Sequence, residues 1–123
     1  MITVYNVKKG SPPPGYILYI GRANKTHNFA ASPLANPHNI GTCRHCGEKH
    51  DRGSTLPLYR EWLREQWAQG PANPARKELE WLISQVQAGK DVGLGCWCKP
   101  EPCHGDVIKE VIEQIIESRK RKS

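Results

Sequence analysis

A chain of 123 residues has the length of one domain. Its 37 % hydrophobic content is low but not that of a disordered chain, and no run approaches the roughly 20 apolar residues that cross a bilayer. The net charge of +6 includes the run Arg119, Lys120, Arg121, Lys122; the +2 left without it is too weak to announce a nucleic-acid binder.

"ITVYNV" is β-branched and aromatic and predicts a strand over Ile2–Val7. "KKGSPPPG" is a loop, since three prolines forbid regular pairing. "YILYI" predicts a second strand over Tyr16–Ile20, apolar enough to be buried on both faces. The connection is too short for a crossover helix, so the two strands are not expected to be parallel neighbours. From Arg22 to Ser54 neither a helical nor a strand period appears, and a loop this long in a compact domain needs pinning.

"STLPLYREWLREQWAQG" predicts a helix capped by Ser54 or Thr55, with Pro57 in its first turn, Gly70 at its end and an apolar stripe of Leu58, Trp62, Leu63 and Trp67. "NPARKELEWLISQVQAGK" predicts a second, capped by Asn73, opened by Pro74, ended by Gly89, with Leu79, Leu82, Ile83 and Val86 inward. "DVGLGCWC" is a third strand whose glycines allow close backbone approach. In the last helix Val107, Ile108, Val111, Ile112, Ile115 and Ile116 form a core stripe. The order predicts an α/β domain over residues 1–118 with a small mixed sheet, an inserted zinc-knuckle loop over 37–54, and a solvated basic tail over 119–123.

Cysteine spacing carries the chemistry. The count of five is odd and the spacings are tight, and "MITVYNVKKG" lacks the apolar core of a signal peptide. Metal or thiol chemistry in the cytoplasm is therefore expected over disulfides. Cys43, Cys46 and His50 have a zinc-knuckle spacing: two thiolates on a tight turn at Gly47 reach one tetrahedral ion. The fourth ligand is open among His38, His45, Asp51 and a later cysteine. A structural zinc here would close a loop with little hydrophobic content of its own.

The second cluster is "CWCKPEPCHGD". Cys96 and Cys98 alternate with Trp97, and Cys103 and His104 fall at the start of the last helix. Unpaired N–H groups and the helix dipole there favour thiolate and welcome an anion such as phosphate. Asp106 in the first turn is a candidate to orient His104 or to act as general base. Three readings stand: a zinc site of Cys96, Cys98, Cys103 and His104; a catalytic thiol–imidazole site; and buried cysteines that behave as small apolar residues.

The runs "YIGR", "SPLANP", "YREWL" and "CWCKPEPCHGDVI" together resemble a family of small bacterial and phage domains of unknown function. The final motif also resembles, more loosely, an uncharacterised family with a Cys…Cys-His-Arg ending on a Rossmann-like fold. The first resemblance spans nearly the whole chain and implies a shared site at Gly21, Arg22, Asn36, Pro37, Cys96, Cys98, Cys103, His104, Gly105 and Asp106. It implies that "CRHCGEKHDRG" is an insertion whose metal is a local staple. Within that site Cys98, Cys103, His104 and Asp106 are the candidate catalytic residues. Gly21, Arg22, Asn36 and Gly105 are the candidate ligand-binding residues, with Arg22 as a fork for phosphate or carboxylate.

Two functions follow. One is a nucleotide-binding or catalytic domain with an activated cysteine. The other is a zinc-stabilised nucleic-acid-binding module that uses the basic tail with Lys25, Arg44, Lys49 and Arg52.

Overall fold

The structure is a computed structural model that describes residues 2–8, 13–22, 30–37, 41–42, 49–50, 52–96 and 103–122. Its elements in chain order are β1 (Ile2–Asn6), β2 (Tyr16–Tyr19), β3 (Gly41–Thr42), β4 (Lys49–His50), α1 (Arg52–Ala68), α2 (Pro74–Gln87), β5 (Val92–Cys96) and α3 (His104–Lys122). The chain is thus an α/β protein, with three helices and a three-stranded sheet of order β1-β5-β2 among the described residues. No helix among the described residues is long and apolar enough to cross a membrane.

Both ladders of that sheet are parallel, so the expected mixed sheet is corrected. β5 lies between β1 and β2, which keeps those two from being neighbours. A helix is unnecessary for the return from β1 to β2. Residues 7–15 can span about 30 Å, ample to recross a five-residue strand of about 17 Å.

The glycines of β5 explain how this return fits. The register puts Val92, Leu94 and Cys96 on one face with Ile2, Val4 and Asn6, and Gly93 and Gly95 on the other. A Cβ on Gly93 would stand 2.6 Å from Pro13 Cγ, and one on Gly95 2.6 Å from Val7 Cγ1. Val7 and Pro13 of the connection therefore lie directly against the central strand, where only glycine leaves room.

The helices cover the opposite face. Val92, Leu94, Ile20 and Leu34 pack there with Leu63 of α1, Leu79, Leu82 and Ile83 of α2, and Ile108 and Ile112 of α3. α2 forms where the local signals place it. Asn73 Oδ1 accepts the Arg76 N–H at 3.1 Å, Pro74 opens the helix, and Gly89 at φ +77° ends it.

The expectations for β2 and α1 also need correction. β2 is an edge strand, and Tyr16 and Ile17 are 46 % and 45 % exposed instead of buried. α1 begins at Arg52, ahead of Ser54 and Thr55, and carries Pro57 inside it. Its inward row is Thr55, Tyr59 and Leu63, one position on from the Leu58–Trp62 stripe. Tyr59 wins the interior because its hydroxyl finds a carbonyl there, that of Leu34 at 2.6 Å.

α3 continues through the segment read as a basic tail. Arg119 pairs with Glu80 at 2.8 Å and stands 5.7 Å from the Trp67 ring centre, so this stretch is tied back to α1 and α2.

Candidate functional site

Three parallel strands deliver their carboxyl ends to one edge: Asn6 from β1, Cys96 from β5, and Ile20, Gly21 and Arg22 after β2. The amino end of α3 meets them there. Gly105 makes the approach possible, since a Cβ on it would lie 2.7 Å from Val4 Cγ1 and 3.0 Å from Ile20 Cδ1. Its part is close helix–sheet packing.

Cys103 is the N-cap of α3. The Gly105 N–H donates to its Sγ at 3.4 Å, and its own N–H donates to Asp106 Oδ2 at 3.1 Å. This is a variant of the capping box, with a thiol where serine or threonine usually stands and the second helical N–H, not the third, as its donor. Two amides that the sequence offers to an anion are thus bonded within the chain. Asp106, expected to orient His104 or serve as a base, fixes the cap.

His104 joins the two halves of the edge. Its Nε2 lies 2.7 Å from the Ile20 carbonyl oxygen. A carbonyl only accepts, so Nε2 carries the hydrogen of the neutral ring. Nδ1 is then the lone-pair nitrogen, and it faces Cys103 Sγ at 3.8 Å. Burial holds the His104 pKa below the usual imidazole value. The Arg22 charge lowers it too, against the Ile20 hydrogen bond and the Asp106 carboxylate.

Tyr59 backs the imidazole. It is fully buried, stacks on Trp62 with ring centres 5.7 Å apart, and meets His104 edge-on at 5.2 Å. Burial, reinforced by Cys103, raises its phenol pKa well above the ordinary value. At the neighbouring strand end, burial and then Cys96 push the Tyr5 phenol up as well.

Arg22 and the 32–36 loop frame the opening. The Nε and Nη2 of Arg22 both donate to the Asn36 carbonyl, at 3.2 and 2.9 Å. The Ser32 N–H donates to the Gly21 carbonyl at 2.9 Å. Gly21 lets the Tyr19 ring fold across it, and the Tyr19 hydroxyl donates to the Arg22 carbonyl. On the far side, between α1 and α3, lies a cleft of about 310 Å³. Leu56, Pro57, Arg60, Cys103, Asp106, Val107 and Glu110 line it. Cys103 has no exposed surface of its own and forms part of the cleft wall.

Residues 5–114 match the family model of a domain of unknown function, DUF4326. The chain belongs to this family. It is also 50 % identical over 40 residues to an uncharacterised 12.4 kDa protein of the nrdA-td intergenic region of enterobacteria phage T4. That alignment covers 32 % of this chain and 37 % of the phage protein. No solved structure matches the chain.

Within this DUF4326 domain, Gly21, Arg22, Asn36, Cys96, Cys103, His104, Gly105 and Asp106 gather at or beside one sheet edge. Cys98 lies outside the described residues, as do Cys43, Cys46, His38, His45 and Asp51. His50 is described in its backbone, which pairs with Gly41 across the β3–β4 ladder. No group of three His, Cys, Asp or Glu side chains that could hold a metal occurs among the described residues, Cys96, Cys103 and His104 included.

Two site residues escape sequence reasoning. Asn6 is 6 % exposed at the end of β1, and its Oδ1 accepts the Lys8 N–H at 2.8 Å. A polar residue closing a β-branched strand is the signal for it. Tyr59 sits in the "YREWL" run, whose helical period conceals a phenol among core residues.

Proposed function

We propose that this DUF4326 domain carries a thiol–imidazole site for a nucleotide-class ligand. It lies at the carboxyl edge of its parallel sheet, where Rossmann-like sheets keep their sites. Cys103 is the nucleophile or acid, and His104 is the base. The observation that carries this reading is the fixed imidazole: Ile20 holds Nε2–H and leaves the Nδ1 lone pair facing the thiol. That is the arrangement of a nucleophile, a base and an orienting group. Transfer of the thiol proton to Nδ1 gives a thiolate at a helix amino end, where the dipole favours negative charge. Asp106 positions the thiol through the cap. Arg22 and Asn36 frame the mouth, and Gly21 and Gly105 permit the close packing around it. A reducing cytoplasm would keep Cys103 in the reactive state.

Mass-spectrometric mapping of alkylation tests this. Cys103 of the folded protein should react with iodoacetamide, His104→Gln should slow that reaction about 10²-fold, and nucleoside phosphates should protect the thiol. A Cys103 that reacts only after denaturation would overturn the reading.

A structural zinc at Cys43, Cys46 and His50 is the second element of the proposal. One observation favours it: β3 and β4 form an antiparallel ladder, Gly41↔His50 and Thr42↔Lys49, that brackets the Cys-x-x-Cys segment. Two-residue strands do not hold a hairpin closed in water by themselves. An ion on two thiolates and an imidazole would supply the missing tether. Elemental analysis should find about one zinc per chain, lost in Cys43→Ser; protein purified without metal would refute it.

A further inference from the structure

We infer that the α1–α3 cleft beside Cys103 receives the phosphate of the ligand on Arg60, and that Glu110 is the chain's own occupant of that position. The inference rests on the thiol–imidazole reading for the ligand's class, and on independent geometry for its place.

A guanidinium presents Nε–H and Nη2–H side by side, a fork that fits two oxygens of one oxyanion. Arg22 at the sheet edge and Arg60 in the cleft use that fork differently. Arg22 has both donors on the Asn36 carbonyl. Arg60 has Nη2 on Glu110 Oε2 at 2.5 Å, while its Nε is buried with no hydrogen-bond partner among the described residues. Glu110 does not complete the fork; its other oxygen accepts from Gln114 Nε2 at 3.4 Å and makes no bond to Arg60 Nε. A second buried, unpartnered Nε belongs to Arg76, but that guanidinium lies 4.2 Å from the Trp67 ring centre and is held by stacking. Arg60 has no such ring contact among the described residues to explain it.

An incoming phosphate offers two oxygens to the same edge and satisfies Nε as well as Nη2. Glu110, its side chain 44 % exposed, gives way to solvent, and the charge balance beside Arg60 is kept. Asp106, the other carboxylate of the cleft, remains on the Cys103 N–H. Leu56, Pro57 and Val107 provide apolar wall for the rest of the ligand, and Cys103 stands on the same wall. The Arg60–Glu110 pair is accordingly a latch on the approach to the thiol.

Titration with inorganic phosphate, followed through the Arg60 Nε–H resonance by NMR, tests the latch. Phosphate should shift that resonance, and sodium chloride at equal ionic strength should not. Glu110→Gln removes the internal competitor and should lower the half-saturating concentration about two- to fivefold, the range of an exposed ion pair. Arg60→Gln, followed through the Val107 methyls, should abolish the response. Equal shifts with phosphate and chloride, or weaker binding in Glu110→Gln, would overturn the inference. Phosphate alone is the probe, so such a failure leaves the Cys103–His104 pair untouched. Loss of Cys103 reactivity would leave the latch standing.

Discussion

The two cysteine-bearing regions of this chain are held by different means. Cys96 and Cys103 are built into the domain, one closing the central strand and the other capping the helix that packs on it. Both are fully buried. Cys43 and Cys46 stand between strands of two residues each, with only that short ladder described around them. The same residue type therefore answers two needs. In one region the fold holds the sulfur; in the other, the sulfur is proposed to hold the fold.

Four experiments sharpen or break that contrast. The largest effect belongs to Tyr59, which ties α1, the Leu34 loop and His104 together. Tyr59→Ala should cost about 3–5 kcal/mol in denaturant unfolding; a loss under 1 kcal/mol would mean that the corner does not depend on the core. Gly105→Ala should follow at about 1–3 kcal/mol, because α3 must back away from Val4 and Ile20.

Cys103 comes next and separates capping from chemistry. Cys103→Ala loses the cap acceptor and should cost about 0.5–2 kcal/mol, whereas Cys103→Ser keeps it and should stay near wild type. Only the serine variant isolates the thiol, so a folded, inactive Cys103→Ser protein is the expected outcome. Chelation of the proposed zinc should have the most local effect, raising hydrogen exchange at residues 41–50 while β5 and α3 keep their protection. Exchange rising across the whole sheet would show that the two regions are not independently held.

His104 adds a pH dependence whose sign is fixed by its lowered pKa. The unfolded chain takes up the proton first as pH falls. The contribution to stability is therefore complete above the unfolded value of about 6.5. It declines as pH drops through that value and levels off below the folded one. Thermal melts of wild type and His104→Gln from pH 8 to pH 5 should converge as the pH falls.

Much of this was legible in local sequence. Asn73, Pro74 and Gly89 mark the ends of α2 because capping and left-handed termination act within a few residues. Asp106 reads from sequence as a partner of His104 or a base, and its place on the Cys103 N–H shows only in the structure. What sequence could not give is set by neighbours distant along the chain. The exposure of β2 follows from its edge position, which depends on β5 entering between β1 and β2. Gly93 and Gly95 leave room for Pro13 and Val7, a pairing settled only in three dimensions. The partner of His104 is a backbone carbonyl 84 residues away, and a carbonyl has no sequence signature.

The central claim concerns which nitrogen of His104 carries its hydrogen, and long-range ¹H–¹⁵N NMR of the imidazole reads this directly. Near pH 7.5 a protonated Nε2 and an unprotonated Nδ1 are expected. A neutral ring with its hydrogen on Nδ1 would contradict it, because that nitrogen could no longer take the thiol proton.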